Sequence, residues 1–131
     1  MAKRVSIILA AGVSSRMNTQ LPKVLHEVCG RPMLAYVLDA CREVGIEKNY
    51  IVVGFGAEQI MSEFGGSEDI AWVRQMEQKG TAHAVMCCRE YLKDFDGQTM
   101  ILCGDGPLIQ AETLRTLIEK HESEKSAATL A

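Results

Sequence analysis

Three short stretches of this chain carry the residue types that could do chemistry. The first begins with Ala10, Ala11 and Gly12 and continues through Arg16 to Lys23. Without bulky side chains, a turn at Ala10 to Gly12 can approach a ligand closely. Its N–H groups then face that ligand as donors, which suits a phosphate or a nucleotide base. Arg16 and Lys23 add positive charge to the same loop, so the set describes a polyphosphate site. In the second stretch, Gln75, Gln78 and Thr81 offer amide and hydroxyl groups able to hydrogen-bond a base edge. The third is Asp105, between Gly104 and Gly106 at the end of an apolar run. One carboxylate with phosphate oxygens and water is a common way to hold Mg²⁺.

Each stretch also fits a plainer role. Ala-Ala-Gly is a serviceable strand-to-helix connection, Arg16 and Lys23 fit solvated surface charges, and Asp105 fits a cap on the turn at Gly106-Pro107. The Gln75 to Thr81 stretch fits an exposed loop followed by an ordinary helix cap. The first loop is not a Walker A sequence, because Gly12 is not followed at the required distance by Gly-Lys-Ser/Thr. It is not a dinucleotide fingerprint either, since Ser14 stands where the second glycine belongs. His26, His83 and His121 have no second ligand at metal spacing and no catalytic partner, which assigns them structural or surface roles. Glu112, Glu119, Glu122 and Glu124 form an acidic, solvated helix face.

Composition limits the remaining classes. The chain has 131 residues, one domain's worth, with 47% apolar and 24% charged residues. A net charge of −3 provides no global field towards nucleic acid or an anionic membrane, so any anion site must be local. No run is long and apolar enough to span a bilayer, and Met-Ala-Lys-Arg lacks the apolar core of a signal peptide. Cys29, Cys41, Cys87, Cys88 and Cys103 show no Cys-x-x-Cys spacing and read as small hydrophobes in a reducing cytoplasm.

The elements that must position these residues alternate. Val5 to Leu9 is a continuous apolar run, the pattern of a strand buried on both faces. Val24 to Val28 reads as a short extended segment. Pro32 suits a first helical turn, and Met33, Leu34, Val37, Leu38, Cys41 and Val44 recur at helical spacing until Gly45. Tyr50 to Val53 is a second strand, Ala57 to Phe64 a helix, and Ile70 to Val73 a third strand. Gly80-Thr81 can cap a helix from Ala82 to about Leu92. Thr99 to Cys103 is a fourth strand, Ala111 to about Glu124 a helix, and Ser126 to Ala131 the opening of a fifth strand. This alternation predicts an α/β, Rossmann-like, doubly wound and mostly parallel sheet with helices on both faces. Such sheets bind ligands at the carboxyl ends of their strands, where all three chemical stretches lie.

Together the motifs resemble those of the sugar-nucleotide pyrophosphorylases. The likeness is strongest to the uridyltransferase domain of the bacterial bifunctional enzymes that make UDP-N-acetylglucosamine. The matching pieces are Leu9-Ala-Ala-Gly12, Ser15-Arg-Met17, Leu21-Pro-Lys-Val-Leu-His26, Gly30-Arg-Pro-Met33, the ten residues from Gln75 to Ala84, and Cys103-Gly-Asp-Gly-Pro-Leu108. They occur in family order and spacing over nearly the whole chain. Leu-Ala-Ala-Gly with Arg-Met marks the broad nucleotidyltransferase group, whereas Leu-Pro-Lys-Val-Leu-His and the Gln75 to Ala84 stretch mark the N-acetylglucosamine-1-phosphate branch. Ser14-Ser15 replaces the usual Gly-Thr, and Gly106 stands where valine or threonine is usual.

The resemblance implies that Leu9, Ala10, Ala11, Gly12 and Gln75 hold the uracil, with Gly80 and Thr81 in the uridine site. Cys103, Gly104 and Asp105 complete the nucleotide site. Arg16 and Lys23 handle the triphosphate and Asp105 binds Mg²⁺. The implied substrates are UTP and N-acetylglucosamine 1-phosphate, in the cytoplasm, for a product used in peptidoglycan synthesis. In the family the domain continues for about a hundred further residues, a typical domain increment. Those carry the sugar pocket, a second Mg²⁺ ligand and the rest of the sheet. A β-helix acetyltransferase domain that trimerises the enzyme follows. The chain is therefore expected to be the N-terminal, truncated, nucleotide-binding part of such an enzyme, with little turnover by itself. Two other readings stay open: a stand-alone nucleotide-binding module, and a cytidylyl- or guanylyltransferase for another acceptor.

Overall fold

The structure, a computed structural model, describes residues 2–13 and 19–131. Four parallel strands form the main sheet: β1 (Arg4–Ala10), β4 (Lys48–Val53), β5 (Ile70–Arg74) and β6 (Gln98–Cys103), in the order β5-β4-β1-β6. A two-stranded hairpin, β2 (Glu27–Val28) with β3 (Arg31–Pro32), lies outside it. The helices are α1 (Met33–Glu43), α2 (Ala57–Phe64), α3 (Thr81–Met86), α4 (Arg89–Leu92) and α5 (Ala111–Ser123).

Strand parity divides the core. Ile8 and Ala10 of β1, with Ile51 and Val53 of β4, pack against Leu34, Val37, Leu38 and Cys41 of α1, Ile60 of α2 and Leu114 of α5. The four α1 residues follow the one-face spacing of a helix, and none exceeds 1% exposure. On the opposite face, Ile7 and Val52 meet Ala84 of α3 and Cys88. This second layer is thinner, and Ile101 of β6 on that side is 53% exposed. Expected helices on both faces are thus present, with unequal cover.

Three local expectations differ. Val24 to Val28 begins with a 3₁₀ turn at Lys23–Leu25 before β2 pairs with β3, and Cys29 and Gly30 both take positive φ at the hairpin turn. The single helix expected from Ala82 to Leu92 is two, α3 and α4. The tight turn at Cys87 and Cys88 brings Cys88 fully inside the second core. Ser126 to Ala131 forms no strand, and His121 Nδ1 instead lies 3.0 Å from Thr129 Oγ1. Burial raises the thiols of Cys41 and Cys88 to about 11, so both stay protonated, whereas Cys29 and Cys103 are exposed. No helix among the described residues is long and apolar enough to cross a membrane.

Candidate functional site

The strand order places a crevice beside β1. From β1 the chain crosses to β4 and then β5, and it returns on the other side of β1 to form β6. The connections leaving β1 and β6 therefore diverge, which opens the sheet at their carboxyl ends. There, Leu9 is paired with Cys103 and Ala10 with Val53. A cleft of about 310 Å³ lies at these ends. Its walls include Leu9, Ala10, Ala11, Gly12, Lys23, Gln75, Gly80, Thr81, Cys103 and Asp105. Residues distant in sequence thus meet around one space. Gly104 does not line it, and Arg16 lies outside the described residues.

Three glycines set the floor and the walls. At Gly104 an added Cβ would stand 3.0 Å from Leu9 O and 3.1 Å from Val24 Cγ1, while the Gly104 N–H donates to Leu9 O at 2.9 Å. Its missing side chain lets the tip of β6 close on β1 and fixes Asp105 at the rim. Gly56 has φ 67°, and a Cβ there would fall 2.1 Å from Pro22 Cγ. Pro22 is buried against it, and the 3₁₀ turn that presents Lys23 starts at Pro22. Gly80 has φ 94° and ψ 179°, a region almost reserved for glycine.

One side of the cleft is charged. Lys23 Nζ and Asp105 Oδ2 are 2.7 Å apart, with side chains 48% and 33% exposed. Each neutralises the other at the rim. Among the described residues no group of three or more His, Cys, Asp or Glu could hold a metal alone. A lone rim carboxylate fits an ion that arrives with phosphate oxygens and keeps its water, as Mg²⁺ does.

The other side is neutral, and its Gln75 is buried. Gln75 is 5% exposed, and its N–H donates to Val53 O at 2.8 Å. Its Nε2 donates to Gly80 O at 3.3 Å and lies 2.9 Å from His83 Nδ1. Gln78 Nε2 donates to Ala11 O at 2.7 Å, so the loop after β5 is tied to the loop after β1. Gln78 is therefore a strut between two walls. Sequence reasoning gave His83 a structural or surface role, and its contact with Gln75 could not be read from spacing. His26 and His121 do not line the cleft; His26 Nε2 is buried without a hydrogen-bond partner among the described residues.

Residues 6–131 match the MobA-like NTP transferase domain. The chain belongs to that family. The NTP transferase domain is 48% identical over 130 residues to bifunctional protein GlmU of a Geobacillus species, covering 99% of this chain and 28% of that protein. It is 49% identical over 125 residues to bifunctional protein GlmU of Pelotomaculum thermopropionicum, covering 95% of this chain and 27% of the relative. The domain thus spans little more than a quarter of the curated relatives it matches, at their N-terminal part. Its fold is similar to that of a putative glucose-1-phosphate thymidylyltransferase from Bacillus anthracis, with TM-score 0.83 and 21% identity over 93% of this chain and 51% of that one. It is a nucleotidyltransferase domain homologous to GlmU, and its parallel α/β sheet is the architecture that its alternating strands and helices predicted.

Proposed function

We propose that residues 1–131 are the nucleotide-binding part of a Mg²⁺-dependent sugar-1-phosphate uridylyltransferase that forms UDP-N-acetylglucosamine and pyrophosphate from UTP and N-acetylglucosamine 1-phosphate. The observation that carries this reading is the cleft at the strand ends, neutral and buried at Gln75 and charged at Lys23 and Asp105. The homology to bifunctional protein GlmU supports the choice of substrates.

Uracil would lie against Leu9, Ala10, Ala11, Gly12 and Gln75, with Gly80 and Thr81 in the uridine site. Cys103 would contribute at the end of β6, where Gly104 lets the strand tip close on β1. Lys23 and Arg16 would hold the triphosphate. A sugar-phosphate oxygen attacks the α-phosphorus of UTP, the bond from that phosphorus to the bridging oxygen breaks, and pyrophosphate leaves with the electron pair. No protein nucleophile is required, so the residues act by positioning and by offsetting charge. Asp105 would hold Mg²⁺ with phosphate oxygens and water. The ion supplies positive charge to the phosphates when bound. Lys23 would exchange Asp105 for the phosphates, and the ion pair between the two residues keeps both groups at the rim.

The sugar pocket, a second metal ligand and the trimerising β-helix domain belong to the remaining length of the relatives in this proposal. Calorimetry with Mg²⁺ and UTP, CTP or GTP tests the nucleotide site. Saturable binding with preference for UTP is expected, together with little UDP-N-acetylglucosamine synthesis by these 131 residues. Equal binding of all three nucleotides would favour another nucleotidyltransferase, and no binding would remove the proposal.

A further inference from the structure

The Gln75 side chain is fixed from two directions. Gly80 O can only accept a hydrogen bond, so the amide must turn its nitrogen, not its oxygen, towards it. That orientation places Nε2 3.3 Å from Gly80 O and 2.9 Å from His83 Nδ1. The amide nitrogen has two hydrogens, and these two acceptors use both. His83 must then offer a lone pair at Nδ1, which puts the imidazole proton on Nε2. Among the described residues nothing donates to Gln75 Oε1, although the side chain is 5% exposed and lines the cleft. The amide therefore has one unused group, and it is an acceptor.

We propose that His83 is a positioning residue that locks the Gln75 amide with Oε1 as the cleft's acceptor, so that the site selects a pyrimidine with a ring N–H over one with a ring lone pair. The inference rests on the uridylyltransferase reading and names how that site chooses its base. Uracil and cytosine have the same ring and nearly the same size. They differ at N3, which donates in uracil and accepts in cytosine, and in the exocyclic group beside it. Facing an immobile Oε1, uracil N3–H finds a partner, whereas cytosine N3 meets a second acceptor in a desolvated place. A buried amide free to turn over would serve both bases. Its immobility makes the choice, and His83 provides much of it because the Gly80 contact is the longer of the two. Gly80 can take its own unusual conformation, φ 94° and ψ 179°, because it has no side chain.

The test uses the chain itself, with UTP and CTP in the presence of Mg²⁺, and three proteins: the original, His83→Leu and His83→Asn. Asparagine can set an oxygen near the position of Nδ1 and accept from Gln75; leucine cannot. The original should prefer UTP at least tenfold. His83→Leu should bring the two affinities within about threefold, mainly by weakening UTP, and His83→Asn should restore most of the preference. An unchanged UTP preference in His83→Leu would overturn the role of His83 and leave the uridylyltransferase reading standing. Binding of neither nucleotide by the original protein would remove both. Long-range ¹H–¹⁵N NMR of the original protein gives a readout independent of variant folding. The His83 proton should be found on Nε2, and a proton on Nδ1 would overturn the inference.

Discussion

The two sides of the cleft are built in opposite ways. On the Gln75 side the groups are uncharged and hydrogen-bonded within the protein, and Gln75 itself is buried. Gln75 is anchored through Val53, Gly80 and His83, and Gln78 is bonded to Ala11. Across the cleft, Lys23 and Asp105 are charged, partly solvated and bonded to each other. A buried amide with spent donors has little freedom, which suits discrimination between bases. A solvated ion pair exchanges partners at small cost, because exposed pairs contribute only about 0–1 kcal/mol. That suits capture of a charged group common to all nucleotides. Under the proposed function, recognition would be preformed on one side and assembled with the ligand on the other.

The largest expected effect comes from removing the cation. Lys23→Ala should weaken Mg-UTP binding by about 10- to 100-fold and weaken CTP by the same factor, because the phosphates carry no base information. A loss confined to UTP, measured by calorimetry, would break the division between the two sides. Asp105→Asn should behave differently. It frees Lys23 and removes a negative charge, so metal-free UTP should bind a few-fold more tightly than to the original protein while its dependence on Mg²⁺ disappears.

The next effects concern stability. Gly56→Ala would strain a positive φ and drive a methyl into Pro22, which should cost about 2–3 kcal/mol by urea unfolding and weaken Mg-UTP through Lys23. An unchanged midpoint would show that the Pro22 turn is not held by that glycine. Gln78→Ala should cost about 1 kcal/mol through the loss of its bond to Ala11 O, and loosen both walls.

The smallest effect lies away from the cleft. The Arg42 guanidinium hydrogen-bonds Asp69 and lowers its carboxyl below the usual range. The folded-state value is depressed, so this contribution is present above the ordinary carboxylate range and is lost as pH falls through the folded value. Both partners are partly exposed, so a few tenths of a kcal/mol are involved. Urea midpoints from pH 7 to 3 should fall slightly less for Arg42→Ala than for the original.

How much of this was legible depended on whether the signal was local. The run at Val5 to Leu9 and the α1 spacing of Leu34, Val37, Leu38 and Cys41 expose their burial directly, because period and composition are properties of neighbouring residues. Strand ends then placed Gly12, Gln75 and Asp105 at one edge of the sheet. What sequence could not supply was contact between distant groups. Pro22 against Gly56, Lys23 against Asp105 and Gln75 against His83 are set by tertiary packing. The break between α3 and α4 had the same origin, since the demand of the second core for Cys88 outweighed continued helix. Ser126 to Ala131 carries small and apolar residues compatible with a strand, yet strand formation needs a partner, and no pairing involves these residues.

The most direct test of the two-sided cleft is NMR titration of the ¹⁵N-labelled chain with its ligand cut in half, using uridine in one series and Mg-pyrophosphate in the other. Uridine should shift the Gln75 side-chain amide and the Gly80 and Thr81 backbone signals and leave Lys23 and Asp105 unmoved. Mg-pyrophosphate should do the reverse. If both ligands move the same residues, or if neither moves any residue lining the cleft, the account is wrong.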